Sequence, residues 1–374
     1  MPYTPKYPVF DGHIHIQQRY YDLDGFMADV KRIIEGTGIL GFTSQCTSSY
    51  KLKSGQAPAQ VLAKALNPGK VFINGGFSYN LDGLPFDRAG MLEQIQTLYN
   101  AGFDGLKMLE GKPTVRKETG IPLDSDIYAD AFAFCEEKNL HVLCHVADPW
   151  IFWDEKECPP SAYKSGWAYL DDSYVQKEDL HSEVDRVLKR HPKLNLTLPH
   201  FYFLAYDLER MADFFDRNPT VSTDLCPNPY LFYDLQKDID KSRDFFIRYQ
   251  DRIFFGTDNE VNDGHIGENA VIHANKKNAD IYRFLELSEE YDTELFSIGK
   301  LHGIGLDGEP LKKIYKDNYL RIKGPDRVLD MGKAIEFCEK RLWLMEKNFP
   351  GTDTPMEGVK HQIGEVIARL KGMA

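Results

Sequence analysis

Ile253-Phe254-Phe255-Gly256-Thr257-Asp258 is a run of three bulky apolar residues that ends, through a glycine and a threonine, in a carboxylate. A strand that is apolar on successive residues has both faces covered, as in a parallel sheet flanked by helices. Working outward from this run, similar short segments rich in β-branched or aromatic residues occur at 9–16, 39–46, 71–79, 103–109, 141–146, 194–199 and 221–225, which with 253–256 predicts eight strands. Amphipathic segments at 25–35, 91–100, 126–138, 177–190, 207–217 and 241–250 lie between them, most followed by Gly, Asn or Pro. Alternation of strand and helix predicts a parallel sheet with helices outside. An open doubly wound sheet would share part of this pattern, but no linker divides the chain. The expectation is therefore an α/β fold, a single (β/α)₈ TIM barrel domain over 1–374. Its core is about 9–325, and further helices follow at 328–348 and 358–370.

The composition supports a large core and narrows the partners. Hydrophobic residues form 42% of the chain and charged residues 27%, the balance of a globular protein. A net charge of −12 with pI near 5.4 argues against nucleic acid and anionic membrane surfaces, which require a cationic face. Residues 1–10 lack the apolar stretch of a secretion signal, and no run of ~18 apolar residues is present. Six cysteines without a C-x-x-C pair suit a reducing compartment. A cytoplasmic protein with a small-molecule substrate is expected, free to act alone or as a homo-oligomer.

Two stretches break the spacing. Residues 147–179 follow strand five and carry Trp150, Phe152, Trp153, Tyr163, Trp167, Tyr169 and Tyr174. A long loop of this kind either covers a site or packs its rings on the barrel rim, and Trp150 and Trp153 are the candidate substrate contacts. Residues 262–325 follow strand eight and end in a helix expected at 311–322.

His13 and His15 lie two apart on the first strand, so both imidazoles face one side and can share an ion. His145 closes strand five, His200 follows strand six and Asp258 follows strand eight. Each histidine alone could be a packed core residue. Together, at the strand ends where such barrels place their chemistry, they predict one divalent ion rather than two, Zn²⁺ first with Mn²⁺ or Fe²⁺ as alternatives. Asp11 lies deeper on the same face, where it either orients a ligand imidazole or caps backbone. Lys107 ends strand four and is a carbamylated bridge between metals, a cation for a substrate carboxylate, or a solvated rim residue. Asp224, ending strand seven, is a supporting or substrate-contacting carboxylate. His141 begins its strand and belongs to the opposite end, whereas His181, His191, His273 and His361 fall on outer helices with solvated faces expected. His265 and His302 have the reach to approach the mouth.

These positions resemble those of the amidohydrolase superfamily, with His13-x-His15, Lys107, His145, His200 and Asp258 on strands one, four, five, six and eight. Gly102-Phe103-Asp104-Gly105-Leu106-Lys107 and Leu311-Lys312-Lys313-Ile314-Tyr315-Lys316-Asp317-Asn318 are similar to motifs of its amidohydrolase-related branch, which contains aminocarboxymuconate-semialdehyde decarboxylase-like enzymes. The resemblance covers roughly 9–322. It implies a metal-dependent hydrolase cleaving an amide, ester or lactone, with Asp258 as general base and His200 as ligand or oxyanion stabiliser. Several decarboxylases of the branch open with Glu-x-His where this chain has His-x-His. Non-oxidative decarboxylation therefore stands as the alternative, and a non-catalytic barrel holding zinc or a ligand as a third reading.

Overall fold

A computed structural model describes residues 3–16, 22–47, 56–79, 81–227, 229–261, 265–294, 299–351 and 354–374. Its strands are β1 (Asp11–Ile16), β2 (Phe42–Gln45), β3 (Val71–Gly75), β4 (Gly105–Gly111), β5 (His141–Val146), β6 (Leu196–Thr197), β7 (Thr223–Asp224), β8 (Ile253–Phe254) and β9 (Asn259–Val261). Pairing is parallel from β1 through β6 in chain order. A bridge from Thr197 to Ser222 leads to β7, β7 pairs with β8, and β9 pairs with β1. The Gly12 amide donates to the Phe255 carbonyl and the Asp258 amide to the His13 carbonyl, which closes the ring. The expected (β/α)₈ barrel is what forms.

The closing strands are shorter than expected, and the expected strand 253–256 is the first part of a strand broken before β9. At these positions other partners take the ladder groups. Thr223 Oγ1 donates to the Leu198 carbonyl and Asn318 Nδ2 to the Ile253 carbonyl. The expected helix 311–322 is likewise interrupted, with a π turn Lys313–Asp317 between Gly308–Lys312 and Asn318–Lys323. A widened turn releases carbonyls from the helix. Here Ile314 O accepts from the Phe255 amide at 2.7 Å and Tyr315 O from the Phe10 amide at 2.8 Å. The helix thus bonds the seam between the first and last strands.

Below the strands, Phe10, Phe72, Phe254, Tyr319 and Ile322 form an apolar plug. Gly12 is required there, because a Cβ would sit 2.5 Å from both the Phe254 and Tyr319 rings. His141 joins this end as expected, bonded to Thr197 Oγ1 and edge-on to Tyr319. Helices Leu23–Thr37, Arg88–Ala101, Leu208–Arg217 and Ile239–Arg248 each start at an aspartate whose carboxylate accepts an amide three residues on, namely Asp22, Asp87, Asp207 and Asp238. The C-terminal helices Met331–Asn348 and Thr354–Met373 pack on each other and on Arg88–Ala101 and Gln56–Leu66. Of the stretch 262–325, residues 262–264 and 295–298 lie outside the described residues. Among the described residues no helix is long and apolar enough to cross a membrane.

Candidate functional site

The site starts with the pleat of β1, which turns His13 and His15 to the barrel interior. His13 Nδ1 lies 2.8 Å from Asp224 Oδ2. Asp224 would be raised by burial, but its bond and attraction to His13 hold it at about 2. Burial, reinforced by Lys107, pushes His13 down to about 3. An ionised carboxylate only accepts, so the neutral ring carries its proton on Nδ1 and points the Nε2 lone pair inward. Cys226 Sγ also approaches Nδ1, at 2.9 Å, but that nitrogen's proton is already committed to Asp224.

His13 Nε2 lies 3.1 Å from His15 Nε2, and Asp258 Oδ1 lies 3.2 Å from His15 Nε2 and 3.6 Å from His13 Nε2. Tetrahedral zinc with Zn–N of ~2.0–2.1 Å separates its ligands by roughly 3.3–3.4 Å. The three donor atoms thus have the spacing of one face of such a tetrahedron, and nitrogen with carboxylate oxygen is a suitable donor set.

His145 and His200 pack ring to ring with centroids 4.9 Å apart, and His200 is 5.9 Å from His13. Neither joins a triad whose donor atoms lie within 4.8 Å among the described residues. Their tautomers are set from outside. His145 Nε2 faces the Ala147 carbonyl at 3.0 Å and Asp148 Oδ1 at 3.3 Å, so Nδ1 keeps its lone pair. His200 Nδ1 faces the Cys226 carbonyl at 3.3 Å, which leaves its lone pair on Nε2. Burial lowers both, His145 to about 3, so both are neutral. Neutral His200 with Nδ1–H engaged presents an acceptor on Nε2 and offers no donor to an oxyanion there.

Asp148 and Lys112 were not singled out in the sequence. Burial would raise Asp148, but Lys112, at 2.8 and 2.9 Å from its oxygens, holds the carboxyl well below the ordinary range, and Tyr169 donates to it at 2.5 Å. The available signal was spacing, since Asp148 falls three residues past His145.

Apart from Asn139, the non-glycine residues with positive φ among those described cluster at the mouth: Ala147 after β5, His200, Phe201, Tyr202 and Phe203 after β6, and Asp258 between β8 and β9, with φ from 50° to 63°. The left-handed conformation costs an L-residue ~1–2 kcal/mol, so the surroundings must impose it. Asp224 Oδ1 accepts the His200 amide at 2.7 Å, Lys177 Nζ donates to the Phe203 carbonyl at 2.8 Å, and Phe201 and Tyr202 are buried.

Of the two roles open to Asp11, capping is the one observed. It accepts from the His13 amide at 3.0 Å, the Thr257 amide at 3.2 Å and Thr257 Oγ1 at 2.6 Å, and burial pushes it up to about 7. Asp224 is the carboxylate that orients an imidazole. Lys107 is 1% exposed, which removes the solvated rim reading. Its Nζ lies 3.1 Å from His13 Nε2, and burial lowers its proton affinity against the pull of Asp258. His181 is a correction: it is buried, with its ring on Tyr202 at 4.3 Å and Nδ1 2.9 Å from Arg210, because its helix face meets the turn that carries His200. His265 packs against His273 with tilted rings 4.2 Å apart, and His302 Nδ1 bonds the Gly303 carbonyl, so neither joins the cavity lined by the imidazoles and Asp258.

His15, Lys107, His145, His200 and Asp258 line one cavity of about 480 Å³, walled also by Phe152 and Trp167. The aromatic loop divides between its two expected roles. Trp153 donates to the Val175 carbonyl and packs on Tyr169, so it is a packing residue. Trp150 lines an adjoining cavity with His200.

No protein-family model and no curated protein matches this chain. Among solved structures, it is similar to an uncharacterized TIM-barrel protein from Bordetella bronchiseptica, with 15% identity, TM-score 0.50, and 88% of this chain and 99% of that one covered. A 2,6-dihydroxybenzoate decarboxylase bound to 2,6-dihydroxybenzoate aligns with 14% identity and TM-score 0.49 over 84% of this chain and 99% of that one. A 4-oxalomesaconate hydratase from Rhodopseudomonas palustris aligns with 12% identity and TM-score 0.47 over 84% and 95%. The likeness to the Bordetella protein agrees with the closed ring of strands described above, and the fold of this chain is the TIM barrel.

Proposed function

We propose that this chain is a metal-dependent hydrolase of the amidohydrolase superfamily, acting on an amide, ester or lactone of a small molecule. The carrying observation is the convergence of His13 Nε2, His15 Nε2 and Asp258 Oδ1, with the His13 proton held on the far side of the ring by Asp224. These three would hold one ion, with His145 or His200 completing its sphere, and Zn²⁺ suits the donors best. When bound, the ion supplies Lewis acidity that polarises a substrate oxygen and acidifies water. Asp258, whose side chain is 32% exposed, is held ionised by His15 and His13, so it can take a proton at its second oxygen. Lys107, beside these donors, would orient a substrate oxygen. The thiols are unpaired, which supports a cytoplasmic setting.

The test is turnover of N-acyl amino acids, aryl esters and lactones by zinc-reconstituted protein in water enriched in oxygen-18. Label in the carboxylic product, abolished in Asp258→Asn, is the expected result. A second reading, decarboxylation, draws on Lys107, whose ammonium could seat a substrate carboxylate. Release of CO₂ from aromatic carboxylates without incorporated label would replace the hydrolase reading with that one. Protein that binds no divalent ion after reconstitution would remove both.

A further inference from the structure

A second cavity, of about 350 Å³, adjoins the one described, and Pro149, His200, Phe203 and Tyr230 line both. Its far side is built from Trp150, Tyr206 and Tyr233, which are 41%, 39% and 47% exposed. Three large rings left half in water around one hollow mark a surface that a ligand would cover. Each cavity falls in the size range of small-molecule sites. The two differ in chemistry. Lys107, Lys112, the imidazoles and Asp258 face the first together with Phe152 and Trp167, whereas the second sets Trp150, Tyr206 and Tyr233 beside Glu157 and the Asp234–Lys237 pair, joined at 2.7 Å.

Resting on the reading of the first cavity as the reaction centre, we infer that the substrate has two parts. A polar, carboxylate-like or carbonyl head reacts beside His200 and Asp258, and a planar aromatic group extends past His200 and Phe203, which line both cavities, to lie among Trp150, Tyr206 and Tyr233. The order of the chain makes this natural. Trp150 comes from the loop after β5, Tyr206 from the turn after His200 and Tyr233 from the helix Pro229–Leu235 after β7, so three successive strand ends frame the second cavity. The specificity-determining residues are then Trp150 and Tyr233, neither of which touches the metal-ligating set.

Benzoate and biphenyl-4-carboxylate are suitable probes, because they share a head and differ by one ring. Their affinities for the zinc-loaded protein would be measured by calorimetry, for the native chain and for Trp150→Ala/Tyr233→Ala. The biphenyl should bind about tenfold tighter or better in the native protein, from the apolar area of the added ring. The double variant should erase that gain and leave benzoate unchanged. An equal preference in the double variant, an equal loss for both probes, or no biphenyl binding would each overturn the inference. Benzoate binding that ignores metal removal while the probe ratio responds to the variant would keep the aromatic subsite and count against the metal reading alone.

Discussion

Asp224→Asn isolates a single atom of the proposed metal centre. Asp224 Oδ1 accepts the amides of His200 at 2.7 Å and Cys226 at 3.1 Å, and an asparagine oxygen can keep both. The other oxygen, 2.8 Å from His13 Nδ1, becomes an NH₂ group. Two donors then face each other unless His13 moves its proton to Nε2. That places N–H where the lone pair is needed, 3.1 Å from both His15 Nε2 and Lys107 Nζ. Regaining the ligating tautomer leaves a buried donor clash, worth about 1–3 kcal/mol. This agrees with the ~10–100-fold loss usual when the outer partner of a ligating histidine is removed. Zinc affinity measured against a chromophoric chelator should fall by that factor, while ¹⁵N histidine spectra report a His13 tautomer change. Asp11→Asn is the control. It touches the amides of His13 and Thr257 and the Thr257 hydroxyl, so it should lower the unfolding midpoint and leave zinc affinity unchanged. Native zinc affinity in Asp224→Asn, or an equal loss in Asp11→Asn, would refute the reasoning.

Three other perturbations test separate parts of the structure. In Gly256→Ala the new Cβ would lie 3.0 Å from Asp224 Cβ and 3.1 Å from His13 Cβ. Such overpacking costs about 1–3 kcal/mol, and chelator competition should show weakened zinc binding as the His13–Asp224 bond is pushed apart. Lys64→Met removes the ammonium that donates to Asp104 at 2.6 Å and to the Gly102 carbonyl at 2.8 Å, at the barrel end away from the site. It leaves the buried Asp104 carboxylate with the Ile73 amide but without its ion-pair partner, so urea unfolding should show a loss of about 3–5 kcal/mol with metal content retained. Lys177 is buried, and burial with Arg210 nearby pushes it down to about 7. The unfolded chain, with Lys near ~10.4, binds more protons between those values, so this residue makes stability rise with pH across that window. The cost is fully present below about 7 and fades towards pH 10. Lys177→Met should therefore lose, between pH 7 and pH 9, on the order of 2 kcal/mol of its stability advantage relative to the native chain, read from denaturant midpoints. Parallel pH profiles for the two proteins would contradict the assignment.

The barrel was legible because its cause is local and periodic. Strand β5 falls on 141–146 as read, since a short apolar run between helical segments can bury both faces only in a parallel sheet. The His-x-His pair was legible for the same reason, a pleat of period two. What the chain alone left open was which of two carboxylates serves His13. Asp11 is two residues away and Asp224 is 211 away, yet Asp224 makes the bond, because β1 and β7 meet only once the ring has closed. The left-handed turn His200–Phe203, the break at Asp258 and the π turn at Lys313–Asp317 were equally unreadable. None follows from the intrinsic preference of its residues. Each is imposed by hydrogen-bond partners far away in sequence, and local propensity yields where burial makes an unpaired polar group costlier than a strained backbone.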